Sequence, residues 1–331
     1  MNARRRALVA FGGTAACALL PASGQPQARA TDAFAFALIG DVPYNALEVQ
    51  VLKAVFASFD SDLVFALHVG DIKASWEECS DSLLDHRLAL LAASPVPLVY
   101  VPGDNEWTDC GRARAGRFDP RERLDWLRRH AFGGSTASSP SSVPTSGTSS
   151  LEGYERQSDR LAGGLPENLR WRHRRVRFVT LNLPGSNDGL DADGLGRSDR
   201  ERRTQANAQW LLDSYRLAAE ERAVAIVVSV HANPRFGAAR RFGTDGYQPF
   251  RSLLRAASDG FAGPTLLLHG DSHRHRVEQI TRKLQRVESY GSPFVDRWVR
   301  IDVEPGAPEP FRISSRSARV ARDEPLAHVE R

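Results

Sequence analysis

Lysine is almost absent from this chain. Lys53, Lys73 and Lys283 are the only three among 44 basic side chains, and the rest are arginine. This reads as compositional bias and assigns no function. Long apolar runs are missing too: a helix needs ~20 apolar residues to cross a bilayer, and the stretch at 8–20 stops well short. No internal repeat is visible, which excludes solenoid and propeller arrays. Cysteine is scarce, with Cys17, Cys79 and Cys110 in 331 residues. A hydrophobic fraction of 41% nevertheless suffices for the packed core of a globular protein.

The first 30 residues stand apart. Arg4, Arg5 and Arg6 lead into the apolar stretch, and Pro21 and the small-residue pattern Ala28-Arg29-Ala30 follow. That is the three-part build of a bacterial export signal, and the paired arginines point to the twin-arginine route with cleavage near Ala30. Thr14-Ala15-Ala16 before Cys17 is a poor match to the Leu-rich pattern of a lipoprotein site. The expected location is periplasmic or secreted, with no stable membrane span after cleavage. The segment holds four arginines and no acid; taking them from the 44 basic residues leaves 40, equal to the 40 acidic ones. A neutral mature chain gives no electrostatic reason to expect nucleic acid as a partner, and the pI near 9.2 belongs to the precursor.

Apolar spacing predicts strands at 34–39, 63–69 and 97–101 separated by helices at 45–59 and 81–93. This βαβαβ rhythm implies parallel pairing. A helix at 121–130 follows. Residues 133–150, GGSTASSPSSVPTSGTSS, offer no apolar face and predict a solvated, mobile loop. Beyond it the sequence predicts strands at 176–183, 223–230, 265–268, 285–290 and 298–303, with helices at 202–221 and 247–257; the last two strands alternate and read as antiparallel. The tail at 305–331, rich in Pro, Arg and Ser, is expected to be ordered only in part.

Five of the strands end on turns that carry the chemistry: FAFALIG-Asp41, LVFALHVG-Asp71, PLVYVPG-Asp104, VAIVVSV-His231 and TLLLHG-Asp271, with His273 two residues on. In α/β proteins the loops at the carboxyl ends of buried strands collect on one edge of the sheet. Side chains spread from position 41 to position 273 are thereby expected in one cleft. Three of these turns precede residues 133–150 and two follow, so 31–304 reads as one domain with an insertion at 133–150. Converging carboxylates and imidazoles are what a two-metal hydrolase needs: one shared carboxylate, further ligands for each ion, and room for water and a phosphate oxygen. Asp71 suits the shared position, because Gly70 allows a tight turn before it. Cys79 and Cys110 each follow one of these turns, and in an exported chain the pair predicts a disulfide closing a loop of about 30 residues. Two unrelated thiols are the other reading.

The order of motifs resembles the calcineurin-like metallophosphoesterase superfamily, which includes purple acid phosphatases. Its series runs D-x-H, G-D-x-x, G-N-H-E/D, a lone His, then G-H-x-H. Here the series stands as Gly40-Asp41-Val42-Pro43, Gly70-Asp71-Ile72-Lys73, Gly103-Asp104-Asn105-Glu106, His231-Ala232-Asn233-Pro234 and Gly270-Asp271-Ser272-His273. The resemblance implies an α/β fold, a two-sheet mixed β-sandwich flanked by helices. It implies two divalent metal ions, one held by Asp41, Asp71 and His273, the other by Asp71, Asp104, His231 and Asp271. It also implies hydrolysis of a small phosphate ester, monoester or diester, by a metal-bound hydroxide.

The chain departs from the family at four places. Pro43 replaces the first His, Asp104 the Asn ligand, Asn105 the His that assists the leaving group, and Asp271 the first His of the last motif. Four carboxylates with two imidazoles make a hard, anionic set that favours Mn or Mg and also admits Fe, Zn or Ca. The resemblance puts Asn105 and His231 at catalytic positions, although an amide is no general acid. Tyr44 either fills the ligand gap left by Pro43 or walls a substrate pocket. Lys73 and Arg235, next to site turns, are candidates to clamp phosphate oxygens. His68 and His269 lie near the turns as supporting or core histidines. The loop at 184–200 carries Asp188, Asp191 and Asp193 without the spacing of a calcium loop and reads as a solvated segment over the cleft. A metal-binding or scaffold protein that has lost efficient chemistry is the alternative, and a metallohydrolase acting on a non-phosphate ester is a third.

Overall fold

Alternate residues of a strand face opposite sides of its sheet, and here both sides are covered. The computed structural model describes residues 32–133, 151–160, 163–192, 194–237 and 243–318. Its strands are β1 (Phe34–Ile39), β2 (Leu63–His68), β3 (Leu98–Tyr100), β4 (Glu152–Arg156), β5 (Leu169–His173), β6 (Val176–Thr180), β7 (Ala225–Ser229), β8 (Thr265–His269), β9 (Arg276–Gln279), β10 (Leu284–Glu288), β11 (Arg297–Val303) and β12 (Phe311–Ser317). They form two mixed sheets, ordered β12-β11-β1-β2-β3 and β4-β5-β6-β7-β8-β10-β9. Helices α1 (Ala46–Ala57), α2 (Asp81–Ala92), α3 (Pro120–Ala131), the single turns α4 (Gln157–Arg160) and α5 (Gly185–Asp188), α6 (Arg197–Glu220) and α7 (Gln248–Gly260) connect them. The expected two-sheet sandwich flanked by helices is present.

The main core lies between the sheets. Phe36 stacks on Phe65 with ring centroids 5.1 Å apart, and Trp171 stacks on Phe178 at the same distance. Phe65 meets Phe178 edge to face, which joins the two pairs. On the far side of the second sheet, Val179, Ile226, Val228 and Leu267 pack with Trp210, Leu211 and Leu254 of α6 and α7. Their chain neighbours Phe178, Val227, Leu266 and Leu268 point into the main core instead. That division explains why these strands read as unbroken apolar runs.

β1, β2 and β3 pair in parallel as the βαβαβ rhythm implies. The expectation for the late strands needs correction. β11 is antiparallel to both its neighbours, whereas β10 runs parallel to β8 and antiparallel only to β9. The stretch after Pro305 also supplies a whole edge strand, β12, along β11. Pairing with β11 gives its alternating polar residues ladder bonds that need no apolar face. The export signal with Cys17, residues 134–150 of the expected insertion, Asp193 and the tail beyond 318 lie outside the described residues. Among those described, no helix is long and apolar enough to cross a membrane.

Cys79 and Cys110 form a disulfide, with Cα atoms 5.7 Å apart and 31 positions between the partners. Loop-closure entropy for a ring of that size corresponds to about 3–4 kcal/mol. Reduction, or paired Cys79→Ser and Cys110→Ser, is expected to lower unfolding free energy by about that much, read as a shift in urea midpoint at constant m. A midpoint unchanged by reductant would sink this assignment.

Candidate metal centre

Parallel pairing continues past the strand ends and sets the turns side by side. Val69 N donates to Ile39 O, Asp41 N to Gly70 O and Val101 N to His68 O within the first sheet; Val230 N bonds to Leu268 O and Gly270 N to His231 O within the second. The two sheets then meet at these edges, where His231 Nδ1 donates to Val69 O at 2.7 Å. Glycine is required by contact as well as conformation. Gly70 has φ +94°, whereas Gly103 carries no positive φ, yet a Cβ there would lie 2.3 Å from the Asp71 backbone nitrogen. Asp41, Asp71, Asp271 and His273 themselves adopt left-handed φ values of 55°, 60°, 76° and 57°. Each such residue costs on the order of 1–3 kcal/mol and persists only where its surroundings hold it, a pattern that clusters at functional sites.

Two groups of side chains offer ligand atoms within 4.8 Å of one another: Asp41, Asp71 and His273, and Asp71, Asp104 and His231. Asp71 belongs to both. His231 Nε2 lies 3.0 Å from Asp104 Oδ1 and 3.4 Å from Asp71 Oδ1, and His273 Nε2 lies 3.5 Å from Asp41 Oδ1. The other ring nitrogens are committed: Nδ1 of His231 donates to Val69 O, and Nδ1 of His273 donates to Ser292 O at 2.7 Å. Each Nε2 is thus turned to carboxylates, His231 Nε2 hydrogen-bonding Asp104 Oδ1 at 3.0 Å, and on losing its proton would offer its lone pair to a metal. This is the arrangement in which an imidazole binds a metal, its second nitrogen fixed by a carbonyl.

The electrostatics agree with that fit. Burial pushes the Asp41 carboxyl up to about 6 and Asp71 well above the usual carboxylate range. Burial acts on Asp104 in the same sense, but its hydrogen bond to His231 holds it low. His231 is buried, which opposes its charge, yet Asp71 and Asp104 lift it well above an ordinary imidazole. Buried carboxylates at this density need positive charge beside them, and a divalent cation would supply it.

No protein-family model matches the sequence, and neither does any curated protein. Among solved structures, a dimetal phosphatase from Danio rerio is similar at 14% identity and TM-score 0.47, covering 86% of this chain and 99% of its own. A purple acid phosphatase from yellow lupin (Lupinus luteus) seeds is similar at 11% identity and TM-score 0.44, and a putative 5'-nucleotidase from Staphylococcus aureus at 12% and 0.45. They cover 89% and 90% of this chain, which spans 57% and 56% of their length.

At the positions where the chain departs from the motif series that its sequence resembles, the side chains have specific places. Asn105 does not face outward: its amide donates to Asp71 Oδ2 at 2.7 Å and to Lys73 O, and its backbone N–H donates to Asp71 Oδ1. It clamps the shared carboxylate. Tyr44 OH donates to Asp71 Oδ2 at 2.8 Å and lies 3.1 Å from His273 Nε2, inside the first group. Asp271 joins neither group; its Oδ2 accepts from Asn233 N at 2.9 Å while its own N–H donates to Asp41. Lys73 is corrected from a phosphate clamp to a strut. It is fully buried, and Nζ donates to the carbonyls of Ala74 and Asn105, so its charge does not reach the cleft. Arg235 is exposed, directly after Pro234 and four residues after His231.

Other residues support the centre. His68 accepts from Gly70 N and donates to Val42 O, and burial lowers its pKa to about 4, so it is a neutral brace between two turns. His269 is buried likewise, held at about 3, and bonds to Gly270 O. Asp188, read from sequence as part of a solvated acidic loop, is instead buried and paired with Arg200 and Arg203. Sequence reasoning missed the reach of Glu106, whose Oε1 accepts from Asp71 N, Gly103 N and Tyr100 OH. It also missed a sixth turn after β10. There Ser289 Oγ donates to Asp41, Ser292 N donates to Asp41 O, and Ser292 O holds His273. The Gly291-Ser292-Pro293 run after a strand was the available signal. Ser186 was missed as well: its Oγ lies 3.1 Å from both Asp104 Oδ2 and Asp109 Oδ1.

Proposed function

We propose that this chain is an exported, metal-dependent phosphoesterase that hydrolyses a phosphomonoester or phosphodiester. The observation that carries the reading is the pair of imidazoles, each with Nδ1 bound to a carbonyl and Nε2 turned to carboxylates that share Asp71. Two divalent cations, when bound there, supply Lewis-acid stabilisation of the phosphoryl oxygens and an activated water. Asp41, Asp71 and His273 would hold one ion and Asp71, Asp104 and His231 the other, with Asp271 beside the second. The predominance of carboxylates favours Mn or Mg.

The chain's own residues account for the rest. Asn105 and Glu106 fix the Asp71 turn through four hydrogen bonds to its carboxylate, its amide and Gly103 N. Arg235, exposed beside His231, is the remaining candidate to fork a phosphate oxygen. Asn105 stands where the resemblance puts the residue that assists the leaving group, and an amide donates no proton to a departing oxygen, so a leaving group stable as an anion is favoured. The paired-arginine leader and the disulfide support an extracytoplasmic location.

Asn105 turned onto Asp71 also favours the second reading, a metal-binding protein without efficient chemistry. One experiment separates them. Elemental analysis of the purified protein is expected to find up to two Mn or Mg per chain, with turnover of p-nitrophenyl or bis-p-nitrophenyl phosphate on adding Mn²⁺. Metal without turnover would favour the second reading, and neither metal nor turnover would overturn both.

A further inference from the structure

Six tryptophans occur in the chain, and five are buried, between 0% and 3% exposed. Trp76 is 59% exposed. Its indole meets Tyr44 edge to face, with centroids 6.3 Å apart at 82°, and Tyr44 OH reaches Asp71 and His273. The indole therefore stands one phenol's length from the metal groups. Its turn is braced: Glu77 N donates to Ala74 O, Ala74 N donates to Glu77 Oε2, and Glu77 Oε1 takes an ion pair from Arg87 of α2. The disulfide at Cys79 ties down the chain just beyond.

A large aromatic held in water on a rigid turn is preorganised to bind a flat ligand. Of the six large apolar side chains exposed among the described residues, Leu47 and Phe294 belong to the segments that carry Tyr44 and Ser292, and Trp76 to the segment that follows Asp71. The centre's chemistry points the same way, because a leaving group that departs unprotonated must be a weak base.

We infer that Trp76 forms a subsite for the aromatic leaving group of an aryl phosphoester, an inference that rests on the phosphoesterase reading above. In the reaction, water oxygen bonds to phosphorus as the bond to the aryl oxygen breaks. The electron pair leaves on the phenolate, which takes up a proton that the water has released to solvent. The weak basicity of phenolate removes the need for the imidazole that Asn105 replaces.

Phenylphosphonate and methylphosphonate are the probes, used with the Mn²⁺-loaded full chain. Iodide quenching reads Trp76 selectively, since it is the exposed tryptophan. Phenylphosphonate is expected to shield the quenchable fraction and to bind about tenfold tighter than methylphosphonate, the range of aromatic stacking on a protein ring. Trp76→Ala should bring the ratio to about one, and Trp76→Phe should keep most of it. Equal binding of the two phosphonates in the wild type would overturn the subsite and leave the phosphoesterase reading standing. Binding of neither would overturn that reading and the subsite with it.

Discussion

Replacing Asp71 by Asn is expected to reduce phosphoesterase turnover by about a thousandfold or more and to lower metal content to one ion per chain or fewer. The substitution keeps the volume, so the effect is electrostatic. Asp71 is the member common to both groups of potential ligands, and metal Lewis acidity is worth several kcal/mol, with each 1.36 kcal/mol a factor of ten in rate. The amide would also set a donor against a donor, because Asn105 Nδ2 and Tyr44 OH both donate to Asp71 Oδ2 in the native site. Turnover of p-nitrophenyl phosphate with excess Mn²⁺, alongside elemental analysis, reads both consequences. A variant with more than a tenth of native kcat and two ions per chain would remove Asp71 from the shared position.

The ligand turns were legible because their signals are local and repeated. An apolar strand followed by Gly-Asp or His states both burial and chemistry, and parallel topology converts five such strand ends into one locus. Asp41, Asp71, Asp104, His231 and His273 accordingly meet. What the sequence hid is mostly direction. Nothing in Gly-Asp-Ile-Lys says that Lys73 bends back under Asn105, since that depends on a carbonyl 32 positions away. Nor does Gly-Asp-Ser-His say that the Asp271 carboxylate turns to Asn233 N, a contact across 38 positions. Strands β4, β9 and β12 were hidden for another reason. They are sheet edges whose polar, exposed residues carry no apolar run, as edge strands avoid sticky surfaces. β5 was hidden by its arginines, because Arg170 lays its guanidinium over Trp210 at 3.9 Å and so reads as polar while packing as core.

Gly103→Ala is expected to damage stability and the metal centre together. A Cβ at Gly103 would lie 2.2 Å from Asp71 Oδ1, 2.3 Å from Asp71 N and 3.0 Å from Asp71 Cα. Backbone atoms cannot yield as the tip of a flexible side chain does, so the strain falls on the Asp71 turn, which Glu106 holds to Gly103 through the same Oε1. Overpacking at a rigid contact costs about 1–3 kcal/mol, and here the displaced group is the shared carboxylate, so metal affinity falls with stability. Gly260→Ala, at the end of α7, is the matched control: nothing lies within 4 Å of its new Cβ, and alanine favours helix over glycine by roughly 1 kcal/mol. Urea unfolding with and without Mn²⁺ measures both. Gly103→Ala should lower the midpoint and lose the stabilisation that Mn²⁺ gives the native chain, while Gly260→Ala should keep it. Equal midpoints and equal Mn²⁺ stabilisation in the two variants would mean that the Asp71 turn has slack, and the close approach of the two turns would no longer explain why position 103 is glycine.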